Sequence, residues 1–436
     1  MNIRKLALDL LMRYEASDTY INLALSSHSA DNLTREERAQ LTALLYTTVE
    51  RKLTYDYYIS AISGRSPQDI DPYTKNVLRL GICQILEMTS VPDFAAVNES
   101  VKLARNKGEG GFINALLRSI VRQKDCLPLP REEKNYRRYL SVKYSFPLWI
   151  VKAFDKLYGR EETEKLLISF NENKYTDLTV NTMKTSVEAL RLALSERGIE
   201  IVSSLAPTHS VRIPKSVNPE HLPGFAEGHF FVQDSACVIS ALALDAKAGE
   251  TIVDVCSCPG GKSFVTAILM GGEGEIHSFD LHESKLSLIA EGADRLGIDI
   301  IDIDCVDATE PRCDLFGKAD KVICDVPCSG LGVLAKKPDL RYKSEESALE
   351  LPALQLAILE SSVKYLKVGG EILYSTCTLR REENEEVIEK FLECNPEFTK
   401  MGFYVESIDA PNGTLTMVPH IHNTDGFFMA KLKRMK

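Results

Sequence analysis

The chain has 436 residues, 44% of them hydrophobic, and a net charge of −10. That length allows roughly two or three domains with substantial cores, and no apolar run approaches what a bilayer-spanning helix needs. Eleven cysteines, an odd number without disulfide-module spacing, exclude a secreted disulfide scaffold and fit a reducing compartment. The opening MNIRKLALDLLMRYEA is an amphipathic helix pattern containing acids, unlike a signal or transit peptide, so a cytoplasmic location is expected.

Residues 1–125 show helical periodicity almost throughout, as in IRKLALDLLMRY, TKNVLRLGICQILEM and AAVNESVKLAR. Apolar residues recur three and four apart without strand-like alternation, which predicts an all-helical domain of about six or seven helices. Residues 126–149, with Pro128, Pro130 and Pro147 among basic residues, read as a linker. Between Val101 and Ile150 eleven Lys and Arg stand against four Asp and Glu. This local excess makes Arg118, Arg122 and Arg137 candidates for phosphate contacts in a chain that is acidic overall. Charge alone reads equally well as a solvated helix face.

Residues 150–225 change to a mixed pattern. A helix over 150–170 is followed by the strand TDLTVNT, the helix SVEALRLALSERG, and the strands IEIVSS and SVRIP, a small α+β segment. From 226 onward the short apolar strands TIVDVC, EIHSFD, KVICDV and EILYST alternate with helices, and FFMAKL follows near the end. Strand–helix alternation predicts a doubly wound parallel sheet, which binds ligands at the C-terminal edge of its strands.

The first of these strands ends in the turn Asp254-Val-Cys-Ser-Cys-Pro-Gly-Gly-Lys262. GGKS resembles the end of a P-loop, but Cys256 stands where that motif needs a glycine. The turn reads better as a nucleoside-cofactor loop formed by Cys256, Ser257, Cys258, Pro259, Gly260, Gly261 and Lys262. Asp280 ends the second strand, where it can meet ribose hydroxyls, Asp307 follows in CVDATEP near an adenine edge, and Asp325 ends KVICDV. Four acids at successive strand ends with one lysine suit a zwitterionic or cationic cofactor better than a phosphate. No metal site is expected, because the C-x-C and C-x₃-C pairs lack further Cys or His at zinc spacing. Cys328 and Cys377 each lie just past a strand, over 321–325 and 371–375. If those strands are neighbours, two thiols reach one cleft, which points to nucleophilic chemistry on an electrophilic ring or carbonyl. Otherwise they are ordinary buried cysteines. Glu383 and Asn384 read as capping and surface residues.

DVCSCPGGK, DVPCSGLGVLAKKPDLRY and EILYSTCTLRREENEEVI resemble three signature motifs of the RNA cytosine-C5 methyltransferases of the NOL/NOP/Sun type. GHFFVQDSACVI and TDGFFMAKL match its flanking motifs, and the likeness covers residues 140–436. FINALLRSIVR is similar to the characteristic helix of the antitermination factor NusB. The resemblance implies a multidomain α and α/β chain. Its parts would be a NusB-like RNA-binding domain over 1–125, the basic linker over 126–149, a small α+β RNA-binding segment over 150–225, and a Rossmann-like methyltransferase domain over 226–436. It implies S-adenosylmethionine as cofactor, held by the Cys256–Lys262 loop, by Asp280 at the ribose, by Asp307 at the adenine and by Asp325 near the methionine end. By the same resemblance Cys377 is the nucleophile toward cytosine C6, Cys328 helps resolve the adduct, and Asp325 meets the N3/N4 edge of the base. Lys336 and Lys337 would meet substrate phosphates. The domain combination implies small-subunit (16S) ribosomal RNA as partner, with tRNA the alternative, and a monomer without membrane or metal. One departure stands in the first motif, where Ser257 and Cys258 replace two alanines. A DNA methyltransferase, whose nucleophile lies in a Pro-Cys dipeptide, would exchange the roles of the two thiols. An RNA-binding assembly factor with an idle methyltransferase fold is opposed by the presence of both cysteines and all four acids.

Overall fold

The computed structural model describes residues 2–17, 21, 33–172 and 175–436. The chain divides into two compact units, residues 1–168 with 337–343, and residues 169–336 with 344–436.

In the first unit, six helices precede residue 123 among the described residues: Ile3–Ser17, Arg35–Glu50, Lys52–Ser63, Pro72–Glu87, Asp93–Lys102 and Lys107–Arg122. Their starts are written locally. Thr34 and Glu37 form a reciprocal capping box, and Asp71 and Asn106 accept the N–H groups of Thr74 and Glu109. The apolar stripes meet in one core that includes Leu8, Leu41, Leu45, Val77, Leu78, Ile113 and Leu117. Arg79, only 3% exposed, is matched by Asp56 at 2.7 and 2.6 Å and by Glu15 at 2.7 Å, as a buried charge requires. Within the stretch that reads as a linker, Tyr136–Tyr144 is helical and capped by Asn135. The turn Pro338–Tyr342 also belongs to this unit. Arg341 is fully buried there with its guanidinium 4.0 Å from the Phe146 ring centroid, and the Tyr342 hydroxyl donates to Val49 O at 2.8 Å.

The second unit begins with a three-stranded antiparallel sheet of β1 (Tyr175–Val180), β2 (Ser210–Pro214) and β3 (Phe230–Val232), in the order β2-β1-β3. Helix Val187–Ser195 packs on it through Leu190 and Leu194 against Leu178, Val211 and Phe230. Across the β1–β2 pair, Arg212 donates twice to Asp177, both bonds 2.7 Å and buried. IEIVSS, expected as a strand, contributes only the single bridge Val202–Arg212.

The large sheet contains β4 (Thr251–Asp254), β5 (Glu275–Asp280), β6 (Ile301–Cys305), β7 (Ala319–Asp325) and β8 (Leu366–Thr376). Beyond these come β9 (Phe398–Lys400), the pair β10 (Phe403–Val405) and β11 (Ile408–Ala410), then β12 (Thr414–Met417) and β13 (Phe427–Arg434). The order is β12-β13-β8-β7-β4-β5-β6, with β9 also on β13. β8 through β6 run parallel, but β13 pairs antiparallel with β8, β9 and β12. The sheet is therefore mixed rather than wholly parallel, because the chain turns back from β12 into β13, which lies between β12 and β8 and runs antiparallel to both. Both faces are covered. Helices Ser235–Leu244, Gly261–Leu269 and Glu283–Leu296 pack on Ile252, Ile323, Leu373 and Met429. Helices Leu351–Ser362 and Glu385–Cys394 pack on Val253, Val322, Ile372 and Tyr374. The strand order reverses at β4, between β5 and β7, which opens a crevice at its C-terminal tip.

Candidate active site

Register delivers the two thiols. β7 and β8 pair in parallel with Asp325 beside Ser375, so the chain leaves the sheet at one level on both strands. Cys328 and Cys377 lie just past that level with their sulfurs 3.1 Å apart. Asp325 is fixed from two sides, since Ser375 Oγ donates to Oδ1 and Lys262 Nζ donates to Oδ2, each at 2.6 Å. Lys262 is buried in the first turn of helix Gly261–Leu269. Burial alone would pull its pKa down, but the contact with Asp325 outweighs it and the ammonium is held above the ordinary lysine value. The Cys328 thiol is pushed well above the usual cysteine value, first by its hydrogen bond with Cys377, then by burial, with the Glu383 carboxylate adding to both.

The glycine turn after β4 is tied to the tip of β5. Ser257 donates both its N–H (2.7 Å) and its Oγ (3.0 Å) to Phe279 O, and Cys258 N–H donates to Asp280 Oδ2 at 3.3 Å. Gly260 sits at φ +102°, and a Cβ there would lie 2.4 Å from the Phe264 ring, so only glycine closes the turn. Burial pushes the Cys256 and Cys258 thiols up, well above the ordinary value for Cys256. The four acids are not equivalent. Asp280 is half-buried at the end of β5, and Asp325 is half-buried at the end of β7. Asp307 is exposed two residues past β6, and Thr309 donates its hydroxyl (2.7 Å) and N–H (2.8 Å) to it, which lowers its pKa. Asp254 lies beneath the turn at 1% exposure, where burial pushes it up to about 7 and Ser263 Oγ donates to it at 2.7 Å. It supports the loop and is not presented at the crevice.

The donor set fits S-adenosylmethionine. Carboxylates converge at the crevice, and the one buried lysine there is already matched by Asp325, so a phosphate would meet net negative charge. A ribose diol and a sulfonium cation are suited to it.

Glu383 and Asn384 require a correction. Both are buried, at 0% and 1% exposure. Glu383 Oε2 accepts Ser329 N–H at 2.9 Å and Gln355 Nε2 at 3.0 Å. Asn384 donates to Thr378 O at 3.0 Å and accepts from Thr376 Oγ1 at 2.6 Å. The acid-rich run RREENEEV hides them, because nothing local separates its inward members from its outward ones.

The basic candidates are dispersed. Arg118 and Arg122 are exposed on helix Lys107–Arg122, where they donate to Asn114 Oδ1 and Ser119 Oγ of the same helix. Arg137 pairs with Asp155 at 2.6 Å. Lys337 is exposed in the first unit. Lys336 belongs to the second unit, where its ammonium is held between Asp234 and Asp425, 2.7 Å from each. Burial opposes its charge, but the two carboxylates outweigh that and raise its pKa. Among the described residues no group of His, Cys, Asp or Glu is arranged to hold a metal ion, and no helix is long and apolar enough to cross a membrane.

A Rossmann-like sheet with acids at its strand tips, a glycine turn at the switch point and two thiols at its C-terminal edge defines a methyltransferase that uses S-adenosylmethionine. Residues 241–433 match the family described as 16S rRNA methyltransferase RsmB/F, residues 1–122 match the NusB family, and residues 146–219 match the ferredoxin-like domain of RsmF/B-like methyltransferases. The chain is 35% identical to a probable ribosomal RNA small subunit methyltransferase B of Bacillus subtilis, covering 99% of each chain. A probable ribosomal RNA small subunit methyltransferase B of Synechocystis is likewise 35% identical, covering 98% of this chain and 97% of the relative. Among solved structures it resembles PH0851, with a TM-score of 0.80 and 29% identity over 99% of this chain and 97% of that one. It also resembles a methyltransferase homolog protein from Pyrococcus horikoshii, with a TM-score of 0.61 and 25% identity over 69% of this chain and 99% of that one. The protein belongs to the RsmB/F family of 16S rRNA methyltransferases, joined to an N-terminal NusB domain.

Proposed function

We propose that the protein methylates C5 of a cytosine in small-subunit ribosomal RNA, at the site numbered 967 in 16S rRNA, through a transient bond from Cys377 to C6. The observation that carries this reading is the 3.1 Å thiol pair beside a carboxylate fixed by Lys262 and Ser375. The names of the relatives and the NusB domain support the choice of RNA.

Cytosine C5 is a weak nucleophile, and a thiolate adding at C6 makes it enamine-like. The Cys377 sulfur bonds to C6, and the C5=C6 π pair moves onto C5. Asp325, held by its two partners, faces the N3/N4 edge and accepts a hydrogen bond from the exocyclic amine, which holds the base in place for the attack at C6. S-adenosylmethionine, held by the Cys256–Lys262 turn with Asp280, Asp307 and Asp325, supplies the methyl group. Cys328 then helps take the proton from C5, that electron pair restores C5=C6, and the S–C6 bond breaks to release Cys377. The bond with Cys377, burial and the Glu383 carboxylate together hold the Cys328 thiol above the usual cysteine value in the free protein. The target base leaves its stack to reach both sulfurs, at a cost of a few kcal/mol.

RNA carrying 5-fluorocytidine traps the adduct on a denaturing gel. Cys377→Ser is expected to form none, whereas Cys328→Ala accumulates adduct even on ordinary cytidine RNA. The opposite pattern would make Cys328 the nucleophile. Bisulfite sequencing of rRNA from a deletion strain is expected to show loss of one 5-methylcytosine in the small subunit.

A further inference from the structure

Glu383 and Asn384 take no part in the chemistry above, yet they are among the most deeply buried polar side chains of the second unit. A carboxylate without exposure is costly unless several donors satisfy it. The donors that Glu383 recruits are specific. Ser329, whose N–H it accepts at 2.9 Å, is the residue after Cys328. Gln355 donates to the same carboxylate and to Pro327 O, both at 3.0 Å, and Pro327 is the residue before Cys328. Asn384 does the same for the other thiol. Thr376 donates to its Oδ1 at 2.6 Å and its Nδ2 donates to Thr378 O at 3.0 Å, the residues on either side of Cys377. The two brackets are joined by the Ser329 and Thr378 hydroxyls, 2.8 Å apart. Two consecutive residues thus hold the neighbours of both sulfurs.

We propose that Glu383 and Asn384 are positioning residues for the thiol pair, Asn384 aiming Cys377 through Thr376 and Thr378, and Glu383 with Gln355 aiming Cys328 through Pro327 and Ser329. The inference rests on the thiol chemistry described above. A rigid side-chain frame of this kind keeps both sulfurs on one target atom pair, where displacement by about 1 Å costs on the order of 100-fold in rate. Glu383 also has an electrostatic effect. The groups bearing on Cys328 are Cys377, Glu383 with Arg380 at 3.6 Å from its other oxygen, the Gly330 backbone N–H and Tyr374. Removing the Glu383 charge removes one of the causes that raise Cys328.

The test uses the full chain with two readouts, the rate of 5-fluorocytidine adduct formation, which needs Cys377, and turnover on cytidine RNA across a pH series, which also needs Cys328. Asn384→Ala is expected to slow adduct formation about tenfold or more. Glu383→Ala is expected to form adduct but to turn over about tenfold more slowly, with adduct accumulating on ordinary RNA. Glu383→Gln keeps an oxygen for Ser329 N–H and Gln355 and loses the charge together with the pairing to Arg380. It is expected to restore turnover to within about threefold of wild type and to move the alkaline rise of the pH profile to lower pH. Wild-type adduct rates in Asn384→Ala together with an unshifted profile in Glu383→Gln, whatever happens to melting temperature, would overturn the proposal and leave the pair a structural role. A wild-type protein that forms no adduct, or a Cys377→Ser variant that still does, would instead refute the thiol chemistry itself.

Discussion

Replacing Lys262 by Met tests whether the Asp325 carboxylate depends on its buried partner. The ammonium lies 2.6 Å from Asp325 Oδ2, with side-chain exposures of 9% for the lysine and 30% for the aspartate. At an effective dielectric near 20 the attraction at that distance is ~6 kcal/mol, most of it offset by desolvating the lysine. Losing one partner of a fully buried pair costs ~3–5 kcal/mol, and the partial exposure of Asp325 reduces this to about 2 kcal/mol. For a unit of this size that corresponds to a fall in melting temperature of about 4–8 °C. The single tryptophan, Trp149, lies in the other unit, so the transition is followed by far-UV circular dichroism. Methyl transfer is expected to fall by about 100-fold, because Ser375 alone then orients the carboxylate. The decisive comparison is the double-mutant cycle with Asp325→Asn. A coupling of about 2 kcal/mol is expected, and single effects that add to within ~0.5 kcal/mol would refute the pairing.

Two further outcomes are expected. Gly332 donates its N–H to Cys377 O at 2.9 Å, and a Cβ on it would lie 1.8 Å from Gly426 O and 2.8 Å from Cys377 O. Gly332→Ala is therefore expected to displace the Cys377 turn and lower the adduct rate by about 100-fold while S-adenosylmethionine binding, measured by calorimetry, persists. An unchanged adduct rate would show that the turn tolerates the shift. If helix Lys107–Arg122 meets RNA phosphates, Arg118→Gln with Arg122→Gln lowers the slope of log affinity against log salt by about 1–2, and Arg137→Gln, already matched by Asp155, lowers it less. A slope that stays constant in the double variant makes this face merely solvated.

The chemistry of the crevice was legible in the sequence because its determinants are local. Short apolar runs ending in Asp280 and Asp325 mark strand tips, and a glycine turn after a strand marks a cofactor loop. What escaped depends on partners distant in the chain. β6 alternates Asp302 and Asp304 with isoleucines at the sheet edge, so it lacks the apolar run that reveals its neighbours. Asp254 resembles the other strand-end acids but lies under the turn, a matter of depth that composition does not encode. Glu383 and Asn384 take their meaning from Ser329, Gln355 and Thr378, three separate elements. In KKPDLRY the charges suggest one basic surface. Lys336 is instead matched by Asp234 and Asp425, and Arg341 is buried over Phe146.

The placement of Pro338–Tyr342 has a practical consequence. The chain passes from one unit to the other at residue 168, at 336 and again at 343. No single cut separates the two units. A fragment beginning after the helical region would carry a detached turn, with Leu340 and Arg341 stripped of the side chains that bury them. A helical fragment ending before residue 169 would lack the plug that those same residues supply. Loss of activity on truncation would therefore be no measure of what the helical region contributes to RNA recognition. Point substitutions at Arg118 and Arg122 are the cleaner instrument, because they leave all three crossings intact.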